Sequence, residues 1–380
     1  MPCPGSTGHG TPASGAFGNL PPPPVLDIGV SSASRGTRFS ILDRSLVRRG
    51  QAHAEAIRDT VRFARDAEEL GYHRFWVSEH HSVPGVAGSA PTVLAAAVAA
   101  ATSVIRVGTG GVMLPNHRPL VVAEQFGVLE ALHPGRIDMG LGRSLGFTGG
   151  VRRALGHDGR NGNDGRDGND ADDFADRLTE LLGYFTGEQR AHPGVHALPA
   201  EGLRVPAFVL ATGAGADVAA RLGLPLVIAT VAGEERLLAA IGRYRAGFTP
   251  SARSRPHLVL AVSVAVADTA EEAALLQVPE AWSSAYSRVH GVFPPLAPAA
   301  EILAAGMSER ERARFEEARA GQIHGTEEQV AAALDALIGR TGADEVLVTL
   351  NTFDHAGRLD SYRRLARLAG IAGQVPAAHR

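Results

Sequence analysis

The sequence contains no lysine; every basic side chain other than histidine is one of its 37 arginines. That excludes Schiff-base catalysis, a lysine-anchored pyridoxal phosphate and the P-loop lysine. There is a single cysteine, Cys3, in a stretch of Pro, Gly and Ser. No disulfide can form within the chain, which fits a reducing, cytoplasmic setting. Neither a thiol nucleophile nor a cysteine-held cluster is expected. No apolar run approaches the roughly 20 residues a membrane span needs. The N-terminus lacks a charged segment followed by an apolar one, so no secretory signal is expected. Net charge is also small, −3, which favours neither nucleic acid nor a membrane surface as a partner.

What the chain does have is a 44% hydrophobic fraction spread over 380 residues. That is long for one ordinary domain, but barrels run to about 250 residues or more as single units. Residues 1–36, with Pro21–Pro24, read as a disordered extension. A polar loop is expected at 148–172, its Gly156–Asp172 part having nothing to bury. Between and beyond these, short apolar runs alternate with helical patterns. Strands are expected at Phe39–Leu42, Phe75–Val77, Ile105–Val107, Arg136–Leu141, Ala207–Leu210, Leu226–Ala229, His257–Val266 and Glu345–Leu350. Helices are expected between them, among them Pro119–Leu132, Glu234–Arg245, Ala270–Gln277, Glu327–Ile338 and Leu359–Leu368. Pro279 ends the rhythm, and residues 279–325 read as an insertion containing the capping box Ser308-x-x-Glu311. Eight strand signals alternating with amphipathic helices predict an α/β fold, a (β/α)8 TIM barrel over residues 37–375 with an insertion near its C-terminal rim.

In such a barrel the working residues stand at the C-terminal ends of strands, and four ends stand out. Ser78-Glu79-His80-His81 follows the second strand. It suits proton handling, structural hydrogen bonding or metal binding. Metal is the weakest of these, because no His-x-His stands at another strand end. Adjacent residues on a strand point opposite ways, so one histidine is expected to face the centre. Gly108-Thr109-Gly110-Gly111 follows the third strand, where paired glycines admit a flat ligand or form a simple bulge. Gly142-Arg143-Ser144 follows the fourth, with Arg143 placed to grip a phosphate or to form a surface ion pair. The fifth strand runs into Ala211-Thr212-Gly213-Ala214-Gly215-Ala216, a small-residue turn that leaves backbone N–H groups for an anion.

Taken in order, several segments resemble the bacterial luciferase-like flavin-dependent monooxygenases, in particular the MsnO-type branch named for an antibiotic-cluster oxygenase. They are Leu42-Asp43-Arg44-Ser45, Glu79-His80-His81-Ser82, Gly110 to His117, Ala123-Glu124-Gln125-Phe126 and His133 to Asp138. The resemblance runs from about Phe39 to Leu368. It implies a barrel that takes reduced FMN from a separate NAD(P)H:flavin reductase and uses O2, through a flavin C4a-peroxide, to oxygenate a small organic substrate of secondary metabolism. It further implies His80 beside the flavin as catalytic proton-transfer residue and Gly110-Gly111 against the ring in a non-prolyl cis peptide. Arg143, with Thr212, Gly213 and Gly215, would then hold the phosphate. Thr212 is the only hydroxyl in that turn, where related proteins carry more. A homodimer and a mobile cover at 279–325 are also implied.

Other readings compete. An F420-dependent oxidoreductase of the same superfamily would bind at the same rim. A non-catalytic flavin-binding protein is the second alternative. The third is a serine hydrolase, since Gly142-Arg143-Ser144-Leu145-Gly146 matches G-x-S-x-G with His355 downstream. That elbow must turn directly into a helix, and Phe147-Thr148-Gly149-Gly150 is poor helix sequence.

Overall fold

A computed structural model describes residues 1, 36–157, 169–211, 213–230, 233–251 and 254–373. Strands and helices are numbered in chain order. The strands are β1 Arg38–Asp43, β2 Arg74–Val77, β3 Arg106–Thr109, β4 Val112–Met113, β5 Ile137–Gly142, β6 Ala207–Leu210, β7 Leu226–Ala229, β8 Leu258–Val266, β9 Ile323–Gly325 and β10 Glu345–Thr349. Eight of them (β1, β2, β3, β5, β6, β7, β8 and β10) run parallel in that order around one wall. Strand β10 pairs with β1, Arg38 opposite Glu345, and also with β8, Glu345 opposite Val259, which closes the ring. The short strands β4 and β9 pair with β5 and β8 at the edges. This is the expected (β/α)8 barrel, with all eight expected strands present.

The helices are α1 His53–Glu69, α2 Pro91–Ala101, α3 Pro119–Leu132, α4 Gly149–Ala154, α5 Asn169–Thr186 and α6 Gly215–Arg221, then α7 Glu234–Ala246, α8 Ala270–His290, α9 Ala299–Ala304, α10 Glu309–Ala320, α11 Glu327–Thr341 and α12 His355–Leu368. None is both long and apolar enough to cross a membrane.

The period-2 alternation of a strand separates two cores. Phe39, Ile41, Phe75 and Val77 point outward into the layer between sheet and helices. Leu42, Trp76, Phe208, Val227, Val259 and Leu347 point inward and fill the barrel. Both faces are therefore apolar, which is why the strands read as continuous apolar runs. Trp76 meets Phe208 edge-on at 5.0 Å between ring centroids. Gly108 makes room for it: a Cβ there would lie 2.9 Å from the indole nitrogen and 2.4 Å from the Asp138 carbonyl oxygen.

Below this layer, towards the strand N-termini, lies a buried ionic network. Arg74 donates to Asp138 and to Glu345, both at 2.7 Å, and Arg106 donates to Asp138 at 2.6 Å. Ser40 Oγ and Trp76 Nε1 add hydrogen bonds to the same two carboxylates. Burial alone would lower the Arg74 value, but Asp138 and Glu345 more than offset it and hold the guanidinium charged. Each of the four charges of this network faces an opposite one.

Three helical expectations need correction. The helix expected to stop at Gln277 runs through Pro279 to His290 as α8. Proline removes one backbone hydrogen bond, but Val278, Ala281 and Ala285 pack with Ile302 and Phe315 in a separate apolar cluster that holds the helix together. The last helix begins at His355, not Leu359, because the Asp354 carboxylate accepts from the Ala356 and Gly357 N–H groups and caps it. The glycine-rich stretch after Phe147 forms the short helix α4, capped by Thr148 Oγ accepting from Val151 N–H. Residues 2–35 of the expected N-terminal extension and 158–168 of the polar loop lie outside the described residues, and the loop's expected end, 169–172, is the start of α5.

Candidate functional site

The C-terminal ends of the strands open into a cleft of about 1790 Å³. Single-ligand pockets measure roughly 300–1,000 Å³, so the cleft has room for two molecules side by side. His80, Gly110, Gly111 and Arg143 all line it. Four of the expected site residues thus come from three separate strand ends to one wall.

The two adjacent histidines divide as strand geometry requires. Glu79 is buried at the edge of the cleft, where it accepts from His81 Nε2 at 2.7 Å, His117 Nε2 at 2.9 Å and the Met113 N–H at 2.9 Å. Burial would raise its value, but these hydrogen bonds outweigh burial and keep it an anion. Glu79 and His81 therefore brace the wall. His80 alone faces the cleft, its Nδ1 3.1 Å from Ser78 Oγ. Its ring stacks parallel to Phe147, with centroids 5.9 Å apart. Burial, then the nearby Arg44 guanidinium, push its pKa down to about 4. The imidazole is neutral at neutral pH.

The peptide between Gly110 and Gly111 is cis. A Cβ on Gly110 would meet Leu42 Cδ1 at 2.6 Å, and one on Gly111 the Gly140 carbonyl oxygen at 2.8 Å. Neighbours fill both positions, so this part of the wall is bare backbone. Arg143 is exposed and has no ion-pair or hydrogen-bond partner among the described residues. Of the turn after β6, Thr212 lies outside the described residues. Ala211 and Ala214, rather than the glycines beside them, line the cleft. Gly215 is buried against Ala211, whose Cβ would stand 2.7 Å from its own. The N–H groups of Ala216 and Asp217 are used inside the turn, by Gly213 and Ala214 carbonyls.

The hydrolase reading fails on position. Six residues separate the end of β5 from α4, so Ser144 is on no tight elbow. Among the described residues its hydroxyl meets only the Gly146 N–H, and His355 bonds Asp59 at 3.0 Å instead.

Sequence reasoning passed over four further cleft residues: Arg44, Ser263, Glu280 and Asn351. Glu280 Oε2 accepts from Ser263 Oγ at 2.9 Å, and its Oε1 accepts from Asn351 Nδ2. Arg44 Nη2 stands 3.6 Å from the same Oε1. The strand-end rule would have found Arg44, directly after β1, and Asn351, two residues after β10. Glu280 was hidden because a helix was expected to end before it.

The segment after α8 forms the cleft's outer wall. It is tied down by Gly85 N–H to the Phe293 carbonyl at 3.0 Å, Arg49 N–H to the Leu296 carbonyl at 2.8 Å and Leu296 N–H to the Val47 carbonyl at 2.9 Å. Gly85 is needed for this approach, since a Cβ would stand 2.3 Å from the Pro294 carbonyl oxygen.

Comparison with known proteins decides the family. The sequence profile of the luciferase-like monooxygenases matches residues 37–345. The chain belongs to this family. It is 40% identical over 338 residues to YvbT of Bacillus subtilis (strain 168), an uncharacterised protein, covering 87% of this chain and 96% of that one. It is 38% identical over 245 residues to the N-acetyl-S-alkylcysteine monooxygenase of the same organism, covering 62% and 70%. Among solved structures, that of apo-MsnO8 superposes with a TM-score of 0.76 at 32% identity, covering 88% and 99%. Two remoter structures share the fold. The oxygenating constituent of a Pseudomonas putida diketocamphane monooxygenase (18%, TM-score 0.66, 90% and 99% covered) is in complex with FMN. A secondary alcohol dehydrogenase (15%, 0.61, 88% and 99%) holds an F420–acetone adduct.

Proposed function

We propose that the protein is the oxygenase of a two-component system, taking reduced FMN from a separate NAD(P)H:flavin reductase and using O2 to oxygenate a small organic molecule. The observation that carries this is the convergence of His80, the bare Gly110-Gly111 backbone and the unpartnered Arg143 on one cleft. Their chemistry fits a flavin mononucleotide. Arg143 offers an unsatisfied guanidinium to the phosphate, and the glycine wall lets a planar ring lie against backbone. When bound, the flavin supplies the activation of O2. The protein's share is to bind, orient and exclude water.

His80 is the proton-handling residue of this scheme. Ser78 fixes the ring through Nδ1, leaving Nε2 for the cleft. With Ser78 donating, the ring proton sits on Nε2 and is offered to a reacting oxygen. The segment around Phe293 and Leu296 serves as the cover over the substrate half of the cleft. The turn after β6, which reaches the cleft at Ala211 and Ala214, adds backbone donors to the phosphate site. The relative that acts on N-acetyl-S-alkylcysteines supports oxygenation over dehydrogenation.

F420 also carries a phosphate and suits the same features, so the cofactor is the first point to test. Anaerobic titration with reduced FMN and reduced F420, followed by 18O2 incorporation into product with FMN, reductase and NADH, separates the readings. Binding of reduced FMN with 18O transfer is expected. Tighter binding of F420 overturns the flavin assignment, and hydrogen peroxide as the sole product across carboxylate and thioether substrates overturns oxygenation. The protein acts in the cytoplasm as a homodimer. In support of the dimer, Val93 on α2 and Val121, Val128 and Leu132 on α3 leave an exposed apolar face. Sedimentation as a monomer at micromolar concentration would remove it.

A further inference from the structure

We infer that Arg44 is the substrate anchor and that the substrate is a small carboxylate with an apolar body. This rests on the flavin-dependent reading above and deepens it. Arg143 is not alone among the cleft arginines in making no hydrogen bond within the described residues: Arg44 and Arg236 make none either. Arg143 stands after β5. Arg44 stands after β1, next to His80, whose value it depresses. A single phosphate-bearing cofactor accounts for one of them, Arg236 stands on α7, and Arg44 is the one that acts on His80.

The surroundings of Arg44 set what it can hold. Its side chain is 35% exposed, and its nearest partner is Glu280 at 3.6 Å, beyond hydrogen-bond reach. Among the described residues the guanidinium makes no hydrogen bond. The Glu280 oxygens are already occupied by Ser263 and Asn351. Glu280 therefore holds Arg44 in place by charge without satisfying its five N–H donors, which remain free for a planar, two-oxygen acceptor. The neighbouring walls are apolar: Leu46, Val86, Phe293 and Leu296 line the same cleft. Leu46 and Val86 are joined by an antiparallel bridge, and the segment carrying Phe293 and Leu296 is bonded over them. A carboxylate held by Arg44 would lay its carbon chain along this wall, beside His80 and therefore beside the reacting position. Neutral hydrocarbons would leave the Arg44 donors desolvated and unpaired, which disfavours them.

The test is calorimetric and uses the full chain saturated with FMN, so that Arg143 is occupied. Hexanoate and phenylacetate are compared with hexanamide and phenylacetamide. The wild-type protein should bind the acids at least tenfold more tightly than the amides. Arg44→Met should abolish that preference and leave FMN affinity unchanged, Arg44→Lys should restore part of it, and Arg143→Ala should leave it intact. An undiminished preference in Arg44→Met, or none in the wild type, overturns the inference. Loss of FMN binding in Arg44→Met places Arg44 in the cofactor site and also overturns it, with the flavin reading left standing. If the wild-type chain takes up no FMN, the acids and amides are compared without it. A preference that still depends on Arg44 then sustains the anchor while the flavin reading fails.

Discussion

The two ends of the barrel use arginine in opposite ways. At the strand N-termini, Arg74 is 5% exposed and donates to two carboxylates that are themselves fully buried. At the strand C-termini, Arg44 and Arg143 point into a cleft with their donors unmatched. The lower network fixes the barrel's shape, because each buried charge is satisfied only in one arrangement. The upper arginines are satisfied only when something binds. A residue type that reads the same in the sequence is structural at one end and a recognition element at the other. What differs is that Asp138 and Glu345 accept directly from Arg74 at one end, whereas at the other Glu280 is bonded to Ser263 and Asn351 and stands 3.6 Å from Arg44.

Removing the lower arginine should have the largest effect. Arg74→Met leaves Asp138 with Arg106 alone and strips Glu345 of its guanidinium. Breaking a buried pair from one side costs about 3–5 kcal/mol. Urea unfolding should show a loss of that size, and a loss below about 1 kcal/mol would mean that the network is not what holds the lower barrel. Upper arginines should behave in reverse. Arg143→Ala should change stability by no more than about 0.5 kcal/mol, as exposed substitutions do. It should weaken reduced FMN by about 1.5–3 kcal/mol, the usual worth of hydrogen bonds to a charged group. Unchanged FMN affinity would remove Arg143 from the phosphate site.

This contrast also explains what was legible beforehand. Strand positions could be read because each strand is apolar on both faces, and that pattern is local. His80, the glycine pair and Arg143 could be read because motif order and strand-end position are linear properties. The roles of Arg44 and Glu280 could not. Arg44 precedes Glu280 by more than two hundred residues, and their meeting depends on α8 continuing through Pro279. That continuation is set by packing against Ile302 and Phe315, which no local propensity records. Nor could the bracing role of Glu79 be read; only the fold brings it against His81, His117 and the Met113 N–H.

The smallest expected effect concerns the point where an upper arginine acts on its neighbour. His80 has its pKa lowered to about 4, by burial first and by Arg44 next, against an ordinary value of 6.5. Between those values the unfolded chain holds a proton that the folded site refuses. His80 thus contributes a stability that rises with pH through this window and is lost as pH falls towards 4. His73 has a similarly lowered value and adds to the same slope, so replacing one histidine removes only part of it. In His80→Gln the stability lost between pH 6.5 and pH 4 should be smaller than in the wild type, and in Arg44→Met the His80 ring should titrate at higher pH. Both are read together, by urea unfolding across the window and by NMR titration of the imidazole. A His80 ring whose titration does not move in Arg44→Met would show that Arg44 exerts no such field, and the upper end of the barrel would lose the feature that most clearly sets it apart from the lower.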